Sequence, residues 1–598
     1  MFPARKGAGH RRRRRGPVAV GVAALGAGAA GVLLLSPAHA GAVQPPVLYT
    51  VAQPPAPAPA ALSARIAGAV KADNSPARAP LAAPTTTSGT AGTTITPMII
   101  GGTTTTISTA PWMAQLWYYD DKGTATESDD TGFFCGGTVV SPTKILTAAH
   151  CVHGYNWNLN GAVLTGTDQL PTDNGDGTSD LHGGTATGVL RQWNHPSYST
   201  VTYDNDVAVL TLARTVAAKP LPITASNDTA SYAAGTVATL YGWGRTSSTT
   251  QDPAQTLKKA SLPITSNTAC SQEYGSDYVA SHMVCAGAPA TGSDTGTTSA
   301  CNGDSGGPLV VAGRIVGVVS WGVKDCVAKG AYSVFSRVSA FAGAIEPRMD
   351  DSNITGDDKA DVFAVTPAGA AYYYASKGTT VANRVADGDL PGSTLVRQAD
   401  LNRDGYQDVL DRTTDGRLHF LNGRPNGADA TIGTGWNGMR SISAPGDLNG
   451  DGLTDLVATD TSGNAWLYPG TGTGTVGSRQ LIGGGWNTYP GTVYGKGDMS
   501  GDGRPDVVAR DASGVLWLYK GTGSGHTPLL ARTRIGSGWN TYNILATVGD
   551  ITGDGHADLV ARDASGVLWL YKGTGSATTP LAARVRICSG WNIYKQLG

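Results

Sequence analysis

Apolar positions along this chain form one long run and many short ones. The long run, Val18 to Leu35, is uncharged and approaches the roughly 20 residues of a membrane span. After it, apolar stretches are short and broken by glycine, as in Val207-Ala208-Val209-Leu210 and in the segments that follow residue 345. That pattern predicts short strands and turns rather than long helices. Composition agrees. Of 598 residues, 82 are Gly, against a usual share of about 7%, and Gly weakens helix interiors. Hydrophobic residues still make up 40%, enough to build cores, so the chain is not of the disordered class.

Charge divides the chain. Arg11 to Arg15 precede the apolar run, and Ser36-Pro37-Ala38-His39-Ala40 follows it. This is the layout of a secretory signal over 1–40, cleaved after Ala40, so no membrane span is expected in the processed chain. Residues 41–98 are rich in Pro, Ala and Thr, with Pro55, Pro57 and Pro59 alternating with alanines. They read as an extended or flexible propeptide. Residues 1–40 carry seven basic groups and no acid, and 41–98 carry three basic groups against one acid. Since the whole chain has a formal charge of -1, residues 99–598 stand at -10. An acidic body argues against nucleic acid as a partner.

Six of seven cysteines lie between 135 and 326: Cys135, Cys151, Cys270, Cys285, Cys301 and Cys326. In an exported chain they suggest disulfides, with fifteen possible pairings. Cys588 stands alone where the preceding repeat has Gly536, and reads as a free thiol.

Three islands carry candidate chemistry: Leu146-Thr147-Ala148-Ala149-His150-Cys151, Asp204-Asn205-Asp206 before an apolar strand, and Cys301-Asn302-Gly303-Asp304-Ser305-Gly306-Gly307. A Ser among glycines can expose its hydroxyl while backbone N–H groups converge where an oxyanion would form. The hydroxyl is a weak nucleophile until a base such as His150 takes its proton. The imidazole in turn needs a carboxylate such as Asp206 to fix its tautomer.

Together with Ile99-Ile100-Gly101-Gly102, Pro111-Trp112, Cys135-Gly136-Gly137, Gly242-Trp243-Gly244 and Val318-Val319-Ser320-Trp321-Gly322, these islands make residues 99–345 resemble the chymotrypsin/trypsin family of serine endopeptidases. The resemblance implies His150 as general base, Asp206 as its orienter, Ser305 as nucleophile, and an oxyanion hole at the Gly303 and Ser305 N–H groups. It implies pairs Cys135–Cys151, Cys270–Cys285 and Cys301–Cys326, two antiparallel barrels with the site between them, a protein or peptide substrate, and no cofactor for catalysis.

The same resemblance implies activation by a cut before Ile99, whose new ammonium pairs with Asp304. Met98 stands where trypsin-type zymogens carry Lys or Arg, so an enzyme preferring large apolar residues is expected to make the cut. The resemblance also implies Ser299 at the base of the specificity pocket, with Ser320, Gly322 and Ser333 around it. Without a buried acid, an apolar, chymotrypsin-like or intermediate preference is expected. The alternative is that Asp294, in the long stretch Ala286 to Thr298, reaches the pocket and restores trypsin-like specificity.

After residue 345 a loop recurs. Its copies carry Asp400, Asn402, Asp404 and Asp408; Asp447, Asn449, Asp451 and Asp455; Asp498, Ser500, Asp502 and Asp506; and Asp550, Thr552, Asp554 and Asp558. A degenerate first copy runs from Asn353 through Thr355 and Asp357 to Asp361, and starts lie 47, 47, 51 and 52 residues apart. The 49 residues from Asp550 fit one more unit, so five are expected. Oxygen ligands at positions 1, 3, 5 and 9 with Gly at 6 suit Ca²⁺. Position 12, where an EF-hand needs Glu, is Ala458 and Ala509 in two copies, and the surroundings read as strands. The units resemble FG-GAP/VCBS repeats of integrin-type propellers, one four-stranded blade per unit. That resemblance implies structural Ca²⁺ and binding surfaces on the propeller. Trp436, Trp486, Trp539 and Trp591 read as blade core rather than sugar platforms.

The expected whole is an all-β, secreted, extracellular protease at 99–345 followed by a five-bladed β-propeller at 346–598. The propeller is expected to bind a polysaccharide, cell surface or protein. The rival class is an adhesion or carbohydrate-binding protein whose protease domain is incidental.

Overall fold

The computed structural model describes residues 45–48, 56–73 and 99–598 apart from 125, 227, 251, 324, 351 and 358. The proposed signal and Met98 lie outside the described residues. Two seven-stranded sheets build the first body. In one, Met113–Asp120 and Thr131–Ser141 form the central hairpin, flanked by Gly161–Thr165, Lys144–Thr147 and Ala208–Leu212. The other centres on Pro308–Val311 and Arg314–Trp321, with Val237–Gly242, Lys258–Pro263, Ser333–Arg337 and Met283–Ala286 around them. Neighbouring strands are antiparallel throughout, as expected for short strands joined by Gly-rich turns. Disulfides join Cys135 to Cys151, Cys270 to Cys285 and Cys301 to Cys326.

Five radial sheets build the second body. Alternation sets each blade's faces: Leu516 and Leu518 are buried, while Trp517 and Tyr519 are half-buried. At each Gly-Trp-Asn the glycine turns left-handed (φ +80° at Gly435, +93° at Gly590) and drops the indole between blades. Trp436, Trp486, Trp539 and Trp591 are buried. Their ring centroids lie 4.5–4.7 Å from those of Tyr468, Tyr519, Tyr571 and Tyr374 in turn. The last pair closes the ring. Closure also uses Gln596–Leu597, which pairs with Val362–Val365 of the first blade. The blades are therefore shifted by one strand from the sequence units, because each Asp-Gly loop lies inside a blade. Cys588 is the one free cysteine, and it accepts a 2.9 Å hydrogen bond from the Trp591 indole.

One expectation needs correction. Residues 59–73 of the proposed propeptide are not extended but form a helix, Pro59–Asp73. The Pro/Ala alternation stops at Pro59, and Ala, Leu, Arg and Ile are good or tolerable helix formers from there on. Pro59 itself sits at the start, where its missing N–H costs nothing. Leu62, Ile66, Ala69 and Val70 share one face and enter the core of the first sheet. Ahead of the helix, Val47–Leu48 adds a fifth strand to the first blade.

The two bodies are joined by a helix, Val338–Met349, which runs past residue 345. Its first turns bury Val338, Phe341, Ala342 and Ile345 in the first body. Its end delivers Glu346, Arg348 and Asp350, all buried, to the propeller's Asp-Gly loops. Arg348 lies over Trp193 and pairs with Asp550 at 2.7 Å, and Asp350 pairs with Lys496 at 2.8 Å. Elsewhere Arg191 donates to the carbonyls of Asn353 and Gly405, and Ser226 bonds Gly501 and Asp502 through its hydroxyl and N–H. The loop face of the propeller is thus covered by the first body.

Candidate active site

His150 sits in a short turn, Ala149–Cys151, tied to the central hairpin by the Cys151 disulfide. Asp206 precedes the buried strand Ala208–Leu212 and is fully enclosed. Its Oδ1 accepts from the His150 backbone N–H at 2.8 Å. Its Oδ2 lies 2.8 Å from His150 Nδ1 and accepts from Ser320 Oγ at 2.6 Å. Ser336 holds the Asp206 carbonyl at 2.7 Å. These bonds fix the Asp206 side chain in place and hold the imidazole with Nδ1 turned toward it. Burial, and then the Asp206 charge, raise the nearby Tyr203 hydroxyl above its ordinary value.

Ser305 lies in a loop whose glycines adopt backbones other residues resist: φ is +95° at Gly303 and +80° at Gly306. At Gly306 a Cβ would lie 2.1 Å from Thr147 Oγ1 and 2.4 Å from the Gly136 carbonyl, so only Gly lets this loop press on the hairpin and its neighbouring strand. The N–H groups of Asp304, Gly306 and Gly307 are used within the fold, and Ser305 accepts from Gly136 at 2.7 Å. Those of Gly303 and Ser305 make no hydrogen bond among the described residues. Cys135, His150 and Cys151 are also close enough to suggest a metal cluster, but the disulfide uses both sulfurs.

Asp304 is fully buried and accepts from Gly244 and Cys301 N–H groups at 2.8 and 2.9 Å. Burial pushes its carboxyl up to about 7, against which these two bonds pull. Gly242 and Gly244 press against it, and a Cβ at either would fall within 2.3 Å of its oxygens. Ile99 is fully buried too.

In the pocket region Ser299 turns its hydroxyl to the Cys326 carbonyl at 2.8 Å. Ser333 accepts from the Ala300 N–H at 2.9 Å. The space above Gly322 is open. Asp294 points elsewhere, accepting from Ser247 Oγ at 2.8 Å and Ser248 N–H at 3.0 Å.

The propeller loops repeat one hydrogen-bond plan. Position 1 accepts from the N–H groups of the turn, as Asp498 does from Gly501 and Gly503. Position 9 ties the loop to its hairpin: Asp506 accepts from Ser500 and Gly521, Asp558 from Thr552 and Gly573. The degenerate copy keeps the plan, with Asn353 accepting from Gly356 and Asp361 from Thr355 and Ser376. Asp498, Asp502 and Asp506 each bring an oxygen within 4.8 Å of the others. Asp502 Oδ1 is buried with no hydrogen-bond partner among the described residues, while Oδ2 pairs with Lys520 at 3.3 Å. Burial and mutual repulsion raise the Asp506 carboxyl well above its ordinary range.

The Ser336 contact and the Arg348 and Asp350 pairs were not expected from the sequence. Those come from elements distant in sequence, and no local motif marks them.

Among known proteins, the trypsin family model matches residues 99–345. The FG-GAP-like repeat matches 400–458 and 498–561. A trypsin of Saccharopolyspora erythraea is 41% identical over 209 residues, covering 35% of this chain and 83% of that protein. Trypsin alpha-4 of Lucilia cuprina is 36% identical over 245 residues, 40% of this chain and 84% of its own. Human kallikrein-14 is 32% identical over 268 residues, 42% and 85% respectively. With two barrel sheets, a glycine-rich loop around Ser305 and relatives of this similarity, the chain belongs to the trypsin family of serine endopeptidases and carries FG-GAP-like repeats behind its protease domain.

Proposed function

We propose that the chain is a secreted, zymogen-type endopeptidase in which His150, Asp206 and Ser305 perform peptide hydrolysis. The observation that carries this is the enclosure of Asp206, both of whose oxygens are committed to His150 and Ser320. Ser305 Oγ attacks the scissile carbonyl as His150 Nε2 takes its proton. The resulting oxyanion is met by the uncommitted N–H groups of Gly303 and Ser305, a contribution of about 3 kcal/mol per donor. The imidazolium, steadied by Asp206, then protonates the leaving amine, and water reverses the sequence to free the acid. Replacing Ser305 by Ala tests the assignment. Unchanged peptide cleavage by the processed variant would sink it.

Activation by a cut before Ile99 is supported by the buried Asp304, a carboxyl among glycines with two N–H donors and no cationic partner among the described residues. A new α-ammonium at Ile99 would compensate its charge. An apolar preference is supported by Ser299, whose hydroxyl is spent on Cys326, and by Asp294, held away at Ser247 and Ser248. Two relatives are named trypsins, but a Lys or Arg side chain would find no carboxylate among Ser299, Ser320, Gly322 and Ser333.

The oxygen-only donor set of the repeat loops, with the orphaned Asp502 Oδ1 among three clustered carboxylates, suits Ca²⁺. Asp498, Ser500, Asp502 and Asp506 would hold it, as would the matching residues of the other copies. The ion would neutralise carboxylates that the fold buries together. Any polysaccharide, cell-surface or protein ligand is assigned to the rim or the opposite face, since the loop face is covered.

A further inference from the structure

We infer that the segment before Ile99 stays bound after activation, so that the working enzyme is a two-chain molecule with residues 45–73 as its non-covalent second chain. The inference rests on the proposed cut before Ile99, which falls 25 residues beyond the end of the Pro59–Asp73 helix in sequence. The helix is docked as a core element. Leu62, Ile66, Ala69 and Val70 are at most 8% exposed, in one cluster with Met113, Leu116, Trp117 and Leu164 of the barrel. Arg65 Nη1 donates to the Gly161 carbonyl at 2.8 Å.

The body beyond the cut is shaped to receive the segment. At Gly132 a Cβ would lie 2.4 Å from the Ala72 methyl, and at Gly188 one would lie 2.7 Å from the Pro57 ring. At Gly388, on the first blade, one would lie 2.3 Å from the Val47 carbonyl. Three glycines in separate strands and loops thus leave room for leader atoms. Any side chain there would collide with the segment.

Attachment is also bivalent. Val47 and Leu48 pair with Asp389 and Gly388 on the propeller, while the helix packs on the protease barrel. Two sites joined by a short span bind far more tightly than either alone, because the second contact forms within one molecule. The segment therefore clamps the two bodies together. Its helix ends against Gly132, at the start of the strand in which Gly136 donates to the Ser305 carbonyl.

The test uses the full chain carrying Ser305→Ala, with a recognition site for a specific endoprotease substituted at residues 84–90. Cleavage is then independent of the chain's own activation, so failure of retention is distinguished from failure of the proposed cut. After digestion, size-exclusion chromatography at low micromolar concentration is followed by intact mass measurement. Co-elution of the N-terminal fragment that contains residues 45–73, in one-to-one ratio, is expected, and its separation from the body overturns the inference. Ile66→Asp is expected to release the fragment on digestion. Arg65→Ala, a milder change, is expected to speed its exchange against labelled peptide about tenfold, the ratio for one lost hydrogen bond of ordinary strength. If both variants hold the fragment as tightly as the parent, the docked helix is not what retains it, and the inference fails.

Discussion

Arg348, at the end of the helix that leaves the protease body, places Nη2 2.7 Å from Oδ2 of Asp550 in the last propeller loop, with the two side chains 3% and 1% exposed. A buried pair of this kind contributes little over an apolar replacement, but removing one member strands the other charge, at a cost of about 3–5 kcal/mol. Arg348→Met is therefore expected to destabilise the full chain by that order in urea titration. The loss should appear as earlier separation of propeller and protease unfolding. An unchanged single transition would show that the joint does not depend on this pair.

Asp304 gives a pH dependence of stability that activation should remove. In the uncut chain its carboxyl is raised from 3.8 to about 7 by burial. The folded state therefore holds a proton that the unfolded chain releases, and stability is lost as pH rises from about 4 to about 7. Relative to Ser305→Ala/Asp304→Asn, the uncut Ser305→Ala chain should lose about 3 kcal/mol between pH 4.5 and 8. After the cut, the Ile99 ammonium should remove that slope. Equal slopes before and after cleavage would contradict the pairing.

Calcium in the repeat loops should be visible as heat stability. EDTA is expected to lower the melting temperature of the full chain, and added Ca²⁺ to restore it, with Asp502→Asn weakening the response. Because Ser226 N–H donates to the Asp502 carbonyl at 3.0 Å, hydrogen exchange at Ser226 should rise in EDTA. No shift in melting would leave the loops as ordinary turns.

Ser299 is expected to set primary specificity. A peptide panel with Phe, Leu, Ala or Arg before the scissile bond should show the slowest cleavage after Arg. Ser299→Asp should raise the Arg rate relative to Phe by at least about tenfold, since a buried charge pair is worth more than 1.4 kcal/mol of discrimination. Fastest cleavage after Arg by the unaltered enzyme would overturn the apolar reading.

The parts of this molecule that could be read from sequence are those whose chemistry demands particular residues side by side. Gly303-Asp304-Ser305-Gly306-Gly307 needs its glycines for backbone reasons that hold in any context, and the Asp-Gly loops repeat at a near-constant interval. Pairings between distant elements left no such mark. The Pro59–Asp73 helix was hidden because its neighbours are Pro/Ala/Thr-rich, although Leu62, Ile66, Ala69 and Val70 do share a helical face. The return of Gln596–Leu597 to the first blade depends on ring closure, which no local pattern encodes. Likewise, only the folded chain brings Arg348 to Asp550 across 202 residues.

The most direct measurement is covalent labelling of the processed protein with a fluorophosphonate, followed by peptide mapping. One label per chain is expected, on Ser305, with none on the uncut chain or after heat denaturation. A label elsewhere, or none on processed protein that still cleaves peptides, would contradict the assignment of Ser305 as the nucleophile.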